Sequence, residues 1–386
     1  MYEFSAPMPY TIKDIDKLLD INNNIEKSKI TSLYASLPST CSMFTGFEQP
    51  RNTLLGKTNF SYWKNLFYFS LEKGVDFIYL LNNPIPLDIN NSCFNNKIEK
   101  LDKLLNELNK LGINKLRIAN PQLMSYLAKH YRNFIIYAST SLDYKTISEY
   151  QNLILMHPEI KQIVPSHDIN KNFKLLKNLR CNYTDLDIEI MVNEGCMQGC
   201  PHRNLHECLN IDLINKKNYN DLSLSASYCS AFCNYVTDKY LFYRLTLNNN
   251  IYPWEIKEYS KIGINKFKLV GRDDFSERMN SYIKEYLLYF KSIDNYNNSK
   301  EFPISSYIHY FSQNTKIQSL LTKEVRYLLP QTAHFKKYGH LCASICGVEC
   351  KYCYKCAEKI QKVFEKKQEE QRKRIIPVCV VNKSNI

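Results

Sequence analysis

Short β-branched or aromatic runs recur along this chain, each followed by a stretch of helical character, and no other feature limits the fold as strongly. The runs are ITSLYAS at 30–36, VDFIYLLN at 75–82, INKLRIAN at 113–120 and NFIIYAST at 133–140. They continue with IKQIVPS at 160–166, LDIEIMVN at 186–193, LFYRLTL at 241–247 and INKFKLVG at 264–271. Helical segments are expected at 97–111, 122–131, 141–155, 169–179 and 275–290. Strands separated by helices pair in parallel, because each crossover returns the chain to the starting edge of the sheet. Eight such strands in 386 residues predict an α/β fold, a (β/α)8 TIM-type barrel. A doubly wound open sheet is the alternative, but no glycine-rich phosphate loop follows the first run.

In a barrel the C-terminal strand ends build the active-site mouth. Here those ends are polar or small: Asn120 before Pro121, Ser139-Thr140, Ser166-His167, Asn193-Glu194 and Gly271-Arg272-Asp273. Asn120, Ser139, Thr140, Asn193 and Arg272 are therefore candidate substrate-binding residues, with Arg272 suited to clamp a carboxylate or phosphate. The competing explanation is that such side chains only cap the helices that follow. After about residue 292 the pattern changes, and DNYNNSKEFP lacks periodicity. The expected organisation is a barrel over 1–292 and a small C-terminal cysteine-rich extension over 293–386. That extension includes a charge-mixed helix at 357–374.

Nine of the 14 cysteines fall into two clusters. The first holds Cys196, Cys200, Cys229 and Cys233, with Cys208 between the pairs; the second holds Cys342, Cys346, Cys350, Cys353 and Cys356. Thiolates three or four residues apart can converge on one metal centre, whereas disulfide geometry disfavours such near neighbours. Cys196, Cys200, Cys229 and Cys233 are candidate ligands at the end of the sixth predicted strand. Cys346, Cys350, Cys353 and Cys356 form a compact run for which an iron–sulfur cluster and zinc are both open. Beside the first cluster, Glu194, His202, Arg203 and His206 are candidate catalytic residues, together with Arg272. Cys41, Cys93, Cys181 and Cys379 stand alone and are expected to pack, although Cys41 follows the first predicted strand and could approach the mouth.

Charge and compartment narrow the partners. Lys and Arg number 51 against 38 Asp and Glu, a formal charge of +13. Such a balance serves solubility or attracts RNA or another polyanion. The start, MYEFSAPMPYTIKD, has no basic region followed by an apolar run, and nothing approaches the roughly 20 apolar residues of a membrane span. A cytoplasmic, reducing location is expected, where clustered cysteines serve as ligands more often than as bridges.

IANPQLMSYLAKHY, NFIIYASTSLDYKT, IKQIVPSHDI, LDIEIMVNEGC and KFKLVGRDD, in this order, resemble the peptidase U32 family. The resemblance implies a TIM-type barrel holding a cysteine-bound [4Fe–4S] cluster, with a second cluster conceivable at the C-terminal cysteines. It also implies an oxidoreductase or hydroxylase: members take part in oxygen-independent hydroxylation of tRNA, ribosomal RNA or the ubiquinone ring, some with a partner subunit. Other members carry a protease or collagenase label. This chain departs from the family's signature, since Glu194-Gly195 precedes Cys196 and only three residues separate Cys196 from Cys200. The expected function is iron–sulfur oxidoreduction or hydroxylation of RNA or of a small anionic or peptidic substrate, fed by an electron donor or partner subunit. A peptidase and a zinc-stabilised binding or scaffold protein are the alternatives. No Ser/His/Asp set or H-E-x-x-H motif supports the peptidase.

Overall fold

In the computed structural model, the described residues are 1–48, 59–84, 92–194, 199–200, 251 and 253–271, with isolated helical positions between 280 and 288 and between 355 and 370. Eight parallel strands close a barrel in sequence order: β1 (Tyr2–Pro7), β2 (Ser28–Ala35), β3 (Asp76–Leu81), β4 (Lys115–Ile118), β5 (Ile135–Ala138), β6 (Ile160–Ile163), β7 (Asp187–Met191) and β8 (Lys266–Lys268). The ring is completed where β1 pairs with β8, Glu3 opposite Lys266 and Ser5 opposite Lys268. The fold class expected from the alternation is the one observed.

The strand set differs from the expectation at one place. The barrel's remaining member is Tyr2–Pro7, whereas LFYRLTL at 241–247 supplies none of the eight and lies outside the described residues. The reason is the two-sidedness of β1. Phe4 and Ala6 are wholly buried towards the helices, while Glu3 and Ser5 alternate with them onto the lumen face, so the run is too polar to read as a buried strand.

Among the described residues, the helices with defined bounds are α1 (Ile12–Leu19), α2 (Phe60–Glu72), α3 (Ser92–Lys110), α4 (Pro121–His130), α5 (Ile147–Met156), α6 (Phe173–Asn182) and α7 (Ile256–Ser260). Their starts are written into the chain. The side chains of Thr11, Asn59, Asn120, Thr146 and Asn172 accept backbone N–H groups at the first turns of α1, α2, α4, α5 and α6. Two helices begin later than expected. Asp143 takes a left-handed conformation, φ 52°, and Thr146 with Glu149 then forms a capping box, so α5 starts at Ile147 rather than at 141. Asn172 caps α6, so 167–169 forms a separate 3-10 turn and the helix starts at Phe173. At the other end of α3, Gly112 adopts φ 78°, and the Ile113 N–H reaches back to the Leu108 carbonyl at 2.9 Å, which closes the helix.

Buried side chains divide into two sets. The large apolar core lies between the outer strand faces and the helices, with Phe4, Leu33, Phe77, Leu116, Ile190 and Phe267 on the strand side. A second, smaller set of Tyr34, Ile78 and Leu80, with Tyr137 against it, lies apart on the lumen side. At the N-terminal end, Lys266 meets Asp187 at 2.6 Å and Glu3 at 3.7 Å, and Lys115 pairs with Asp76. Beyond β8, the Ser28 hydroxyl donates to the Leu287 carbonyl at 3.1 Å and the Tyr286 hydroxyl to the Ile251 carbonyl at 2.8 Å. These bonds tie the segment around 286–288 to the barrel. Among the described residues, no helix is long and apolar enough to cross a membrane.

Candidate active site at the barrel mouth

The C-terminal ends of β4 to β7 carry polar side chains, and most of them hold backbone. Asn120, after β4, accepts the Leu123 N–H at 3.1 Å and caps α4. Ser139, after β5, accepts the Ser141 N–H at 3.3 Å. Asn193, after β7, makes a two-way latch to the end of β8: its amide donates to the Val270 carbonyl at 2.8 Å and its oxygen accepts the Val270 N–H at 2.6 Å. The structure thus brings Asn120, Ser139, Thr140 and Asn193 to the same rim, where all four hold chain segments in place. Glu194 is half-buried beside Asn193. Arg272, His202, Arg203 and His206 lie outside the described residues.

The ends of β5 and β6 interlock more closely. The Thr140 hydroxyl donates to the Pro165 carbonyl at 2.8 Å and stands 3.4 Å from Nδ1 of His167. The Ser166 hydroxyl donates to the Asp143 carboxylate at 2.6 Å. Lys145 bridges Asp143 at 3.0 Å and Asp168 at 3.2 Å. These carboxylates hold the Lys145 ammonium pKa above its ordinary value, although burial works against them. Asp168 also accepts the N–H of Gly199 at 2.8 Å, which fixes the segment bearing Cys200 to the β6 rim. Cys200 itself is half-buried and makes no disulfide.

The β2–α2 loop is anchored from below. Glu48 is fully buried, and one of its oxygens accepts the Thr45 N–H at 3.1 Å, the Thr45 hydroxyl at 2.6 Å and the Gly46 N–H at 3.0 Å. Its other oxygen accepts the Tyr79 hydroxyl at 2.8 Å. Burial pushes the Glu48 carboxyl above its usual pKa, and burial with the nearby Glu48 pushes the Tyr79 phenol well up. Cys41, in the same loop, is buried, and that burial raises its thiol pKa. Such a thiol packs rather than reacts.

Within the lumen a set of charges stands back from the strand ends. Arg117 of β4 and Glu189 of β7 are 0% and 4% exposed and meet across the barrel at 2.5 Å. Lys268 of β8, 6% exposed, places its ammonium 4.7 Å from the ring centre of Tyr34. Each charge is flanked in sequence by apolar residues, as in LRI, IEI and FKL. A period-two charge inside a buried strand is the signal that marks them.

Of the eight candidate metal ligands, only Cys200 is among the described residues; Cys196, Cys229, Cys233, Cys346, Cys350, Cys353 and Cys356 lie outside them. No group of three or more His, Cys, Asp or Glu that could hold a metal occurs among the described residues.

The fold is a closed (β/α)8 barrel with polar residues on its C-terminal rim and charges in its lumen. The family model for peptidase family U32 matches residues 53–325, and the chain belongs to that family. The match begins after β2 and runs past β8. An uncharacterized protease of Methanocaldococcus jannaschii is 24% identical over 217 residues, or 53% of this chain, and the chain spans 59% of that relative's length. Among solved structures, the U32 peptidase Mk0906 aligns at 12% identity with a TM-score of 0.43, covering 70% of this chain and 93% of that one. N-acetylneuraminate lyase from Fusobacterium nucleatum aligns at 12% identity and a TM-score of 0.37, covering 94% and 98%.

Proposed function

We propose that the chain is a U32-family enzyme whose chemistry runs at the C-terminal mouth of the barrel, on the loop that carries Cys196 and Cys200. The chemistry favoured by the clustered thiols is iron–sulfur oxidoreduction or hydroxylation, acting on RNA or on a small anionic or peptidic substrate. The observation that carries this reading is the 2.8 Å bond from the Gly199 N–H to Asp168, because it fastens the cysteine-bearing segment to the rim where a barrel binds substrate. Thiolates from Cys196, Cys200, Cys229 and Cys233 are the donor type that holds a [4Fe–4S] cluster, and bound there it would supply electron transfer or Lewis acidity. Zinc remains the competing occupant for Cys346–Cys356.

Peptide hydrolysis is the second reading, and the comparisons speak for it more directly than for the redox one. The relative from Methanocaldococcus jannaschii is named a protease, and the family whose model matches is a peptidase family. The local feature that agrees with it is Thr140, whose hydroxyl stands 3.4 Å from Nδ1 of His167 and would act as a nucleophile by turning its proton from the Pro165 carbonyl to that nitrogen.

Anaerobic purification separates the two. The redox reading expects a brown protein with iron and sulfide in comparable amounts, and Cys196→Ala should strip the barrel-mouth share of that iron. A colourless protein that cleaves peptides after complete metal removal, and loses cleavage on Thr140→Val, would establish hydrolysis instead.

A further inference from the structure

Three loops of the mouth are tied together through Asp168. One of its carboxylate oxygens accepts the Gly199 N–H at 2.8 Å, and the other meets the Lys145 ammonium at 3.2 Å. Lys145 also meets Asp143 at 3.0 Å. The Ser166 hydroxyl donates to Asp143 at 2.6 Å and accepts the Asp168 N–H at 3.3 Å. Asp143 and Lys145 belong to the β5–α5 loop, Ser166 and Asp168 to the β6–α6 loop, and Gly199 to the segment after β7. The first of these loops is itself fixed, because the Lys145 N–H donates at 2.8 Å to Glu149 in the capping box of α5. Gly199 takes φ 62°, in the left-handed region that glycine enters without strain. Cys200, the next residue, is half-buried.

A chain segment left to wander presents a thiol poorly, because ordering it costs entropy each time the thiol is needed. A charge-assisted bond to a carboxylate only 11% exposed, itself gripped by a neighbouring cation, meets that cost in advance. We propose that Asp168 is a positioning residue for the cysteine segment, and that Lys145 acts through it by holding its carboxylate in place. Their part is to fix the backbone that carries the Cys200 thiol. The proposal rests on the reading that the loop bearing Cys196 and Cys200 carries the chemistry, and it extends control of that loop to the β5–α5 loop, two strands away.

The full chain, purified without oxygen, tests it. Iodoacetamide alkylation is timed at individual cysteines by peptide mass spectrometry, with buried Cys41 and exposed Cys181 as internal references. Asp168→Ala should speed alkylation of Cys200 about tenfold, the equivalent of one charge-assisted bond lost from the closed segment, and leave Cys41 and Cys181 at wild-type rates. Asp168→Asn keeps an acceptor for Gly199 and should restore most of the protection. Lys145→Met should give a smaller rise. Asp168→Ala combined with Lys145→Met should match Asp168→Ala alone, since a residue acting through that carboxylate adds nothing once it is gone. An unchanged Cys200 rate in Asp168→Ala would overturn the proposal, as would an equal rise at Cys41, which marks loosening of the whole barrel. Multiplied effects in the double variant would overturn the role of Lys145. Should Asp168→Ala fail to fold, Lys145→Met decides, because Lys145 is 46% exposed and an unchanged Cys200 rate there breaks the chain of contacts. Iron and sulfide assayed on the same wild-type preparations keep the questions apart: a protein without iron refutes the redox reading, and the alkylation rates still decide whether Asp168 holds the segment.

Discussion

Glu48 shows how a single carboxylate can set a whole loop. Three donors from Thr45 and Gly46 converge on one of its oxygens and the Tyr79 hydroxyl on the other, so the carboxylate links the β2–α2 loop to β3. Glu48→Ala should cost about 2–4 kcal/mol, since it leaves buried donors unmet. Glu48→Gln keeps an acceptor and should cost about 1 kcal/mol. The pH dependence has a definite sign. Burial raises the carboxyl's folded pKa above its unfolded value, so its stabilising contribution is complete below the unfolded pKa and is lost as pH rises through the folded one. Wild type should therefore lose stability relative to Glu48→Gln as pH rises from about 4 towards neutrality. Urea melts at a series of pH values check this, and a wild-type advantage that grows with pH would show the four donors outweighing burial.

At the level of elements, the helix starts were the most legible part of the chain in local detail and the least legible in position. Pro121 after Asn120 marks α4 within a residue, yet the start expected at 141 is really a 3-10 turn, because Asp143 leaves the right-handed region and Thr146 begins the helix. Thr146→Ala removes the side-chain half of that capping box, leaving the backbone N–H of residue 146 on the Glu149 carboxylate, and should cost about 1 kcal/mol, read as a lower urea midpoint at unchanged slope. Asn120 carries a related lesson for the site. A polar strand end is ambiguous between substrate contact and helix cap, and the same sequence serves either use until the bond to Leu123 is seen. By contrast, Arg117, Glu189 and Lys268 were written plainly, as charges at alternate positions among apolar neighbours. They lie in strand interiors, where the two-residue alternation is the one signal that marks them.

For the whole molecule, seven strands could be read from β-branched and aromatic runs, and the closing one could not. β1 joins β8 to β2 through ladders on both sides, so it carries no more apolar residues than its outer face needs. That topology makes the two ends of the chain unequal. Removing residues 1–7 would strip both ladders and expose the edges of β2 and β8, so the product should lose its cooperative thermal transition and aggregate. Ending the chain after residue 292 would keep all eight strands and the bonds from Ser28 to Leu287 and from Tyr286 to Ile251. That shorter protein should melt cooperatively within a few degrees of the full chain, about the shift of 1 kcal/mol at this size. Circular dichroism melts of the two truncations decide the matter. A shortened chain that no longer melts cooperatively without 293–386 would mean that the cysteine-rich extension is part of the barrel's fold, and that its metal, if bound, stabilises the site rather than serving beside it.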